Sequence, residues 1–312
     1  MKKKIVFMVI NMNVGGTEKA LLNMISEMHK DEYDITILML EKYGGFLDSI
    51  PSGVHVEYLE GYEKIKGILN KPPKQTALNF LRNGKITKGL NIIFFHVLSK
   101  LFNDKTIFFK YLMRHVPDIK NEYDIAVAYA GPMDFISYFV AKKIKAKKKI
   151  QWIHFDITKI GFDQNFASKV YRKFDKIFIV SEEARKKLVK AVPIIKEKLE
   201  VFYNIVSPEI ILSQSGQGKG FSDDFDGIRI LTVGRLTTEK GIDLAIHALA
   251  LLIKDGYKVK WYCLGEGSSR RKYETLIKEN NLQDKFILLG SDPNPYPYMD
   301  QCDIYVQPSR HE

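Results

Sequence analysis

Arg235 and Lys240 are the residues of this sequence whose types and spacing most directly suggest chemistry. They lie in VGRLTTEKG, residues 233–241, which continues the apolar run IRILT. If a strand ends here and a helix follows, both cations lie beyond the carboxyl end of the strand, where open α/β sheets bind ligands and helix amino termini favour phosphate. A guanidinium and an ammonium in that position could bind a diphosphate without a metal ion. The alternative is a pair of solvated surface cations.

Other candidate residues also follow apolar runs. Gly15 and Gly16 lie in NMNVGG, where glycine would let backbone amides approach a ligand, although an ordinary tight turn is the alternative. His154 ends QWIH, and Glu266 lies in LGEG after another predicted strand. A lone histidine is more often structural, and a carboxylate such as Glu266 often only shapes its loop.

Several conspicuous residues receive a structural interpretation. We expect Thr17 and Glu18 to cap the helix that they begin, and Asp156 to cap a turn. The run DFD at 224–226 imitates a D-x-D metal-binding signature but lies in a predicted linker rather than at a strand end. The run 142–149, with six lysines, is expected to be a solvated helix end and strand start. Cys263 and Cys302 are expected to be core residues, without a disulfide or metal site.

The elements that must position these residues alternate as strand, loop and helix. Residues 1–203 contain nearly continuous apolar strands separated by helices, the pattern of a doubly wound parallel sheet covered on both faces. Residues 204–227 are rich in Ser, Gly, Gln and Asp without helical periodicity, which predicts a hinge or linker. Alternation resumes over 228–312, where Ile304–Val306 is expected to be a short buried strand. The sequence therefore predicts two Rossmann-like α/β domains facing a cleft.

Positive charge is concentrated in the first half of the chain. Of the formal charge of +11, residues 1–200 carry +13 and residues 201–312 carry −2. A basic insertion at 61–120 holds 12 Lys and Arg against 3 Asp and Glu, interleaved with apolar and aromatic residues. One interpretation is one or two amphipathic helices packed on the sheet. The other is a basic amphipathic face on an anionic membrane or a lipid-linked acceptor. A nucleic-acid partner is not predicted, because no binding motif accompanies the charge.

Composition and apolar run lengths bear on the compartment. The 312 residues are 45% hydrophobic and 27% charged, as in globular proteins, and contain only two cysteines. No apolar run approaches the ~18 residues that span a bilayer, and the amino-terminal run IVFMVI is too short for a signal peptide. We expect a cytoplasmic protein, either free or peripheral on the inner face of the membrane.

Four stretches together resemble the family 4 retaining glycosyltransferases of the GT-B fold. They are NVGGTEKALLNM, VGRLTTEKG, LGEGSSRRKYETLI and FILLGSDPNPYPYMDQCDIYVQPSRHE. The resemblance implies that Arg235 and Lys240 hold the donor diphosphate and that Gly15 and Gly16 lie beside the donor phosphates. It also implies that His154 lies beside the reacting sugar and that Glu312, the first glutamate of the family's E-x7-E motif, meets that sugar. Glu266 is included as a donor-site candidate.

The resemblance implies a metal-independent hexosyl- or N-acetylhexosaminyltransferase. It would move a sugar from a nucleotide-sugar donor, expected to be UDP-linked, to a glycan or lipid-linked acceptor in cell-surface polysaccharide assembly. No cofactor is expected. A nucleotide-sugar epimerase of the same fold, or a non-catalytic partner subunit of a glycosyltransferase, stays open. Because the second glutamate of the motif would fall eight residues past Glu312, we expect a truncated second domain and little activity from these 312 residues.

Overall fold

The computed structural model describes residues 2–131 and 133–310 and divides the chain into two α/β units, Met1–Val206 and Ser207–Glu312. Each unit contains a parallel sheet, as predicted from the alternation of strands and helices. The strands form where apolar runs can be covered on both faces. In the first strand, Lys3–Val9, the five residues from Ile5 to Val9 are all buried.

In the described part of the first unit, seven parallel strands are arranged in the order β3-β2-β1-β4-β5-β6-β7. The strands are β1 Lys3–Val9, β2 Tyr33–Met39, β3 His55–Tyr58, β4 Glu122–Gly131, β5 Lys145–Ile153, β6 Lys176–Ile179 and β7 Leu199–Val201. The helices are α1 Gly16–Glu27, α2 Glu63–Leu69, α3 Pro73–Arg82, α4 Ile86–Leu101, α5 Lys105–Leu112, α6 Asp134–Lys143, α7 Gln164–Val170 and α8 Glu182–Ala191.

In the described part of the second unit, four parallel strands are arranged in the order β10-β9-β8-β11. The strands are β8 Ile228–Val233, β9 Val259–Leu264, β10 Phe286–Gly290 and β11 Ile304–Tyr305. The helices are α9 Pro208–Ser215, α10 Ile242–Lys254, α11 Arg270–Glu279 and α12 Tyr296–Gln301. One apolar core lies between this sheet and helices α10 and α11.

Three details differ from the sequence-based expectations. The predicted linker contains α9, which begins at Pro208, a residue well suited to the first turn of a helix, and packs against α12. The insertion at 61–120 contains four α-helices rather than one or two. Strand β11 forms, but Ile304 and Tyr305 are 45% and 47% exposed, because β11 is the edge strand of this sheet and, among the described strands, pairs with β8 alone.

Helix α1 also begins one residue earlier than Thr17. Its first residue is Gly16 and its N-cap is Gly15, in extended backbone and without a capping side chain. The expectation that Thr17 caps this helix is therefore wrong, because Thr17 already lies within the first turn. Glu18 lies in the same turn, with its carboxylate close to Gly15.

Candidate functional site

The two predicted phosphate-binding residues of the second unit, Arg235 and Lys240, both follow its strand β8. Strand β8 pairs with β9 on one side and with β11 on the other, so the strand order reverses at β8. Such a reversal opens a crevice beyond the carboxyl ends of the strands, and α/β proteins bind ligands there. Arg235 follows β8, and residues 307–310 follow β11, so both loops border this crevice.

Arg235 and Lys240 lie on either side of a tight connection from β8 to α10. Lys240 ends a single 3₁₀ turn, Thr238–Lys240, and its aliphatic stem passes close to Gly234, the residue before Arg235. The Arg235 guanidinium is 62% exposed and lies 3.5 Å from the carboxylate of Glu239. Helix α10 begins at Ile242 without a capping side chain, and Lys240 lies just before it, near the positive end of the helix dipole.

Two glycines allow the loops of this edge to pack directly against each other. Gly241 has φ +67°, and a Cβ there would lie 2.1 Å from the carbonyl oxygen of Pro308. Gly265 has φ +154°, and a Cβ there would lie 1.9 Å from the carbonyl oxygen of Gly234. Side chains at these positions would force the loops after β8, β9 and β11 apart, so the glycines are required for the observed packing.

Arg310 fixes the loop after β11 against the start of α10, a role that the sequence analysis missed. Its guanidinium forms a bidentate pair with Asp243, with Nη1–Oδ1 2.8 Å and Nη2–Oδ2 2.6 Å, and donates to the carbonyl of Thr238. The pair lowers the pKa of Asp243. The available sequence signal was an acidic residue in the first turn of α10 together with an arginine in the PSR segment. Only the strand order shows that these two residues are neighbours in the fold.

A buried hydroxyl connects three strands beneath this edge. Thr232, on β8, donates from Oγ1 to the carbonyl oxygen of Val306 at 2.7 Å and accepts from Nε1 of Trp261, on β9, at 3.0 Å. Thr232 is 1% exposed. Breaking either bond would leave a buried polar group without its partner, so the position of the loop after β11 depends on this contact.

Glu266 lies in the loop after β9, as predicted, and is anchored on both sides. Its carboxylate forms a salt bridge with Arg270 on the first turn of α11 at 2.5 Å. Its carbonyl accepts from the amide of Leu236 at 3.0 Å. The observed contacts are those of a loop-shaping residue, and its donor-site role stays a prediction.

In the first unit, Gly15 and Gly16 also lie where the strand order reverses. Strand β1 lies between β2 and β4, and the two glycines connect it to α1. A Cβ on Gly15 would lie 2.6 Å from Oε2 of Glu18, whereas a Cβ on Gly16 would meet nothing within 4 Å. A side chain at Gly15 would only have to displace the flexible end of Glu18, and Gly16 presents backbone without a side chain.

His154 directly follows β5 and packs in an aromatic cluster. Its ring centroid lies 4.4 Å from that of Tyr129 and its plane is within 4° of that of Trp152. Burial lowers the pKa of His154 to about 4, and a hydrogen bond with the backbone of Tyr129 only partly opposes this shift. The imidazole is therefore neutral at pH 7. Its Nε2 is buried and has no hydrogen-bond partner among the described residues.

The Tyr129 ring connects His154 to the start of α1. Burial and, secondarily, the charge of Glu18 raise the pKa of Tyr129, so the first turn of α1 lies within electrostatic reach of this ring. The Tyr129 ring thus packs against His154 and lies within electrostatic reach of Glu18. Glu312, the remaining predicted site residue, lies outside the described residues.

The remaining sequence-based interpretations concern structure. Asp156 caps the 3₁₀ turn Ile157–Lys159, as predicted, and its salt bridge with Lys187 lowers its pKa to about 2. In the predicted D-x-D imitation, Asp226 pairs with Lys258 at 3.0 Å. Cys263 is buried in the second unit, and Cys302 is partly buried.

The described part of the chain contains no helix long and apolar enough to cross a bilayer.

Solved structures share the fold of this chain. HepE of Anabaena, crystallised with UDP and glucose, superimposes with a TM-score of 0.62 at 17% identity, over 98% of this chain and 74% of HepE. A TarM variant of S. aureus, crystallised with fondaparinux, α-GlcNAc-glycerol and UDP, gives a TM-score of 0.61 at 15% identity, over 98% of this chain and 81% of TarM. The architecture is that of the GT-B glycosyltransferases, as predicted.

Sequence comparisons match parts of this chain to glycosyltransferases. Residues 223–312 match the family model described as glycosyl transferases group 1, which confirms the predicted resemblance over this part of the chain. A Campylobacter jejuni protein, named N-acetylgalactosamine-N,N'-diacetylbacillosaminyl-diphospho-undecaprenol 4-alpha-N-acetylgalactosaminyltransferase, is 37% identical over 139 residues, 45% of this chain. The Staphylococcus aureus poly(ribitol-phosphate) alpha-N-acetylglucosaminyltransferase is 30% identical over 80 residues, 26% of this chain and 16% of that protein. The match with the C. jejuni protein covers only 36% of the length of that protein.

Proposed function

We propose that this protein is a retaining glycosyltransferase that takes a sugar from a UDP-linked donor and transfers it to a glycan or lipid-linked acceptor in cell-surface polysaccharide assembly. The observation that carries the proposal is the placement of Arg235 and Lys240. Both lie at the strand-order reversal of the second unit, beside the start of α10, within the region that matches the group 1 glycosyltransferases.

In this proposal the two cations stabilise the diphosphate as it leaves. Negative charge grows on the β-phosphate while the bond to the sugar breaks, and fixed positive charges aimed at that point lower the barrier. Arg235 can contact two phosphate oxygens through its planar guanidinium, whereas Lys240 supplies a compact ammonium. The acceptor hydroxyl then attacks from the face that the diphosphate leaves, so the configuration at the sugar is retained.

The proposed sugar contacts come from His154 and Glu312. A neutral His154 can accept a hydrogen bond at Nε2 from a sugar hydroxyl, which would give this buried atom the partner that it lacks in the described part of the chain. Glu312, as the resemblance implies, would accept from other sugar hydroxyls. Gly15 and Gly16 would present backbone amides beside the donor phosphates, and Glu266 would border the donor site.

The names of the relatives support the acceptor class. The C. jejuni relative is named for transfer to a saccharide on diphospho-undecaprenol, and other relatives are named for O-antigen and amylovoran biosynthesis. Two solved structures of the same fold contain UDP. These names favour a UDP-sugar donor and a polysaccharide precursor as acceptor for this chain.

The proposal includes catalysis without an obligatory metal ion, because Arg235 and Lys240 supply the positive charge for the diphosphate. A chelator should therefore leave turnover unchanged. Strict dependence on added Mg²⁺ or Mn²⁺ would contradict this part of the proposal.

The proposed function can be tested with a panel of nucleotides and nucleotide sugars. Thermal-shift measurements should show stabilisation by UDP and by at least one UDP-sugar. The corresponding adenosine nucleotides and adenosine-linked sugars should stabilise the protein little. With the stabilising donor, UDP should be released faster when a lipid-linked saccharide acceptor is added. A UDP-sugar that is isomerised without UDP release would instead identify an epimerase, and the absence of any nucleotide binding would indicate a non-catalytic role.

A further inference from the structure

Helix α4 carries an apolar stripe that the described residues leave exposed. Its buried face contains Gly89, Ile92 and Ser99, and a Cβ on Gly89 would lie 2.7 Å from the side chain of Leu81 on α3. The opposite face carries large apolar side chains that are each between 37% and 76% exposed: Ile86, Leu90, Ile93, Phe94, Val97 and Leu101. These six residues are called the α4 stripe below.

The α4 stripe is continuous. Its members are spaced by three, four and one residues, which at ~3.6 residues per turn places them within one arc of about 100° along four turns. Phe102, just past the helix, is 62% exposed and extends the stripe. Isolated exposed apolar residues are normal on a protein surface. A contiguous apolar patch of this kind instead marks a site of interaction with another protein or with a membrane.

The charged residues of the segment that carries the α4 stripe are all of one sign. Residues 64–103 contain eight Lys and Arg and no Asp or Glu. Lys85 and Lys88 lie at the start of α4 and Lys100 in its last turn, and all three are exposed. The pKa of His96 is lowered by burial and by the charges of Lys100 and Lys74, so Lys74 contributes to the same positive surface.

These cations differ from several other lysines of the first unit. Within the described residues, Lys74, Arg82, Lys85, Lys88 and Lys100 form no salt bridge, whereas the lysines at 143, 145, 147, 148, 169 and 187 each pair with a carboxylate. The positive potential beside the stripe is therefore not neutralised by the protein.

We propose that the α4 stripe, with its surrounding lysines and Arg82, lies in the interface of an anionic lipid bilayer. A bilayer surface supplies both features that this face lacks, an apolar layer for the stripe and negative head groups for the cations. A second copy of the chain would bring two acid-free basic surfaces together, and a nucleic acid would leave the stripe exposed to water. With 16 residues, α4 lies along the interface and does not cross it.

The proposal can be tested by vesicle sedimentation, independently of any transferase activity. The protein should pellet with vesicles of phosphatidylglycerol and phosphatidylcholine in roughly equal parts, should not pellet with phosphatidylcholine alone, and should be released as salt rises. The double variant Lys85→Gln/Lys88→Gln should partition about 30-fold more weakly, since each basic residue near an anionic surface contributes roughly a factor of five. The double variant Phe94→Glu/Leu101→Glu should lose sedimentation at every salt concentration.

Matched controls come from the second unit. Leu251 is 63% exposed and Lys254 lies in the last turn of the same helix, α10, so Leu251→Glu and Lys254→Gln change a comparable helical surface. Both controls should pellet like the parent protein. Phe94→Trp should show a blue-shifted emission on vesicle binding, whereas Leu251→Trp should not. Each variant is first checked for an unchanged far-ultraviolet circular dichroism spectrum.

Three outcomes would overturn the proposal. The first is equal binding to neutral and anionic vesicles. The second is unchanged vesicle binding by the Phe94→Glu/Leu101→Glu variant. The third is absence of vesicle binding with a dimer in solution that this variant dissociates, which would assign the stripe to a second copy of the chain.

Discussion

The Arg310 guanidinium binds Asp243 through two hydrogen bonds, of 2.8 Å and 2.6 Å, and thereby holds the loop after β11 against the first turn of α10. Lys240 lies just before that turn, so the pair joins two segments of the proposed phosphate site. Bidentate pairs of this kind fix orientation as well as distance.

Loosening this pair should weaken donor binding more than it weakens the fold. Arg310→Gln removes both bonds from a partly exposed pair, so we expect only a small loss of unfolding free energy. Binding of a UDP-sugar should weaken about fivefold or more, because binding must then order the loop. Calorimetry of binding and thermal unfolding give the two values. Arg271→Gln, an exposed arginine on α11, is the control, and equal binding by both variants would exclude this role for Arg310.

The close approach at Gly241 predicts a large cost for a single methyl group. Gly241→Ala must accept both a positive φ and a Cβ 2.1 Å from the carbonyl oxygen of Pro308. Gly256 is a matched control, because its φ is +87° but nothing lies within 4 Å of its Cβ position. Gly256→Ala should cost about 1–2 kcal/mol, the penalty of the left-handed backbone alone.

Gly241→Ala should cost at least ~2 kcal/mol more than Gly256→Ala, because the overlap must be relieved by moving backbone. Denaturant unfolding of both variants measures the difference. If the two losses were equal, the loop after β11 would not pack against Gly241 as described.

Much of the fold could be predicted because the strands are apolar on both faces. The runs that form β1, β2, β4 and β8 are nearly continuous, and the helices after them have regular apolar spacing, so the two parallel sheets follow from the pattern alone. The positions of Arg235 and Lys240 beyond β8 follow as well, because both flank an identifiable strand end.

The details that could not be predicted depend on contacts distant in sequence. Helix α9 is short and packs against α12, about 80 residues later, so local composition does not reveal it. Gly15 caps α1 through its backbone, whereas capping preferences favour the neighbouring Thr17. The pairing of Arg310 with Asp243 required the strand order of the second sheet.

The burial of His154 predicts a specific dependence of stability on pH. Its pKa is about 4 in the folded protein, below the usual value of 6.5, so the unfolded chain binds more protons between these values. The stabilisation from neutral His154 is therefore complete above pH 6.5 and is lost as pH falls to 4. It amounts to at most about 3 kcal/mol.

Replacing His154 should reduce this dependence. His154→Gln should unfold with a shallower loss of free energy between pH 6.5 and 4 than the parent protein, whereas His247→Gln, which changes an exposed histidine, should follow the parent. Urea unfolding at a series of pH values measures the slopes. Parallel curves for parent and His154→Gln would show that His154 titrates as an exposed residue does.

The central claim is that Arg235 and Lys240 bind the diphosphate of a nucleotide-sugar donor. The most direct test is calorimetry of UDP and UMP binding to the parent protein and to each alanine variant. Arg235→Ala and Lys240→Ala should each weaken UDP binding by about 1.5–3 kcal/mol, the range for charged hydrogen bonds. UMP, which lacks the second phosphate, should be affected much less. Arg271→Ala should bind both nucleotides like the parent. The parent protein must bind UDP, and both variants must be folded. Under these conditions, an unchanged UDP affinity of both the Arg235 and the Lys240 variants would contradict the account.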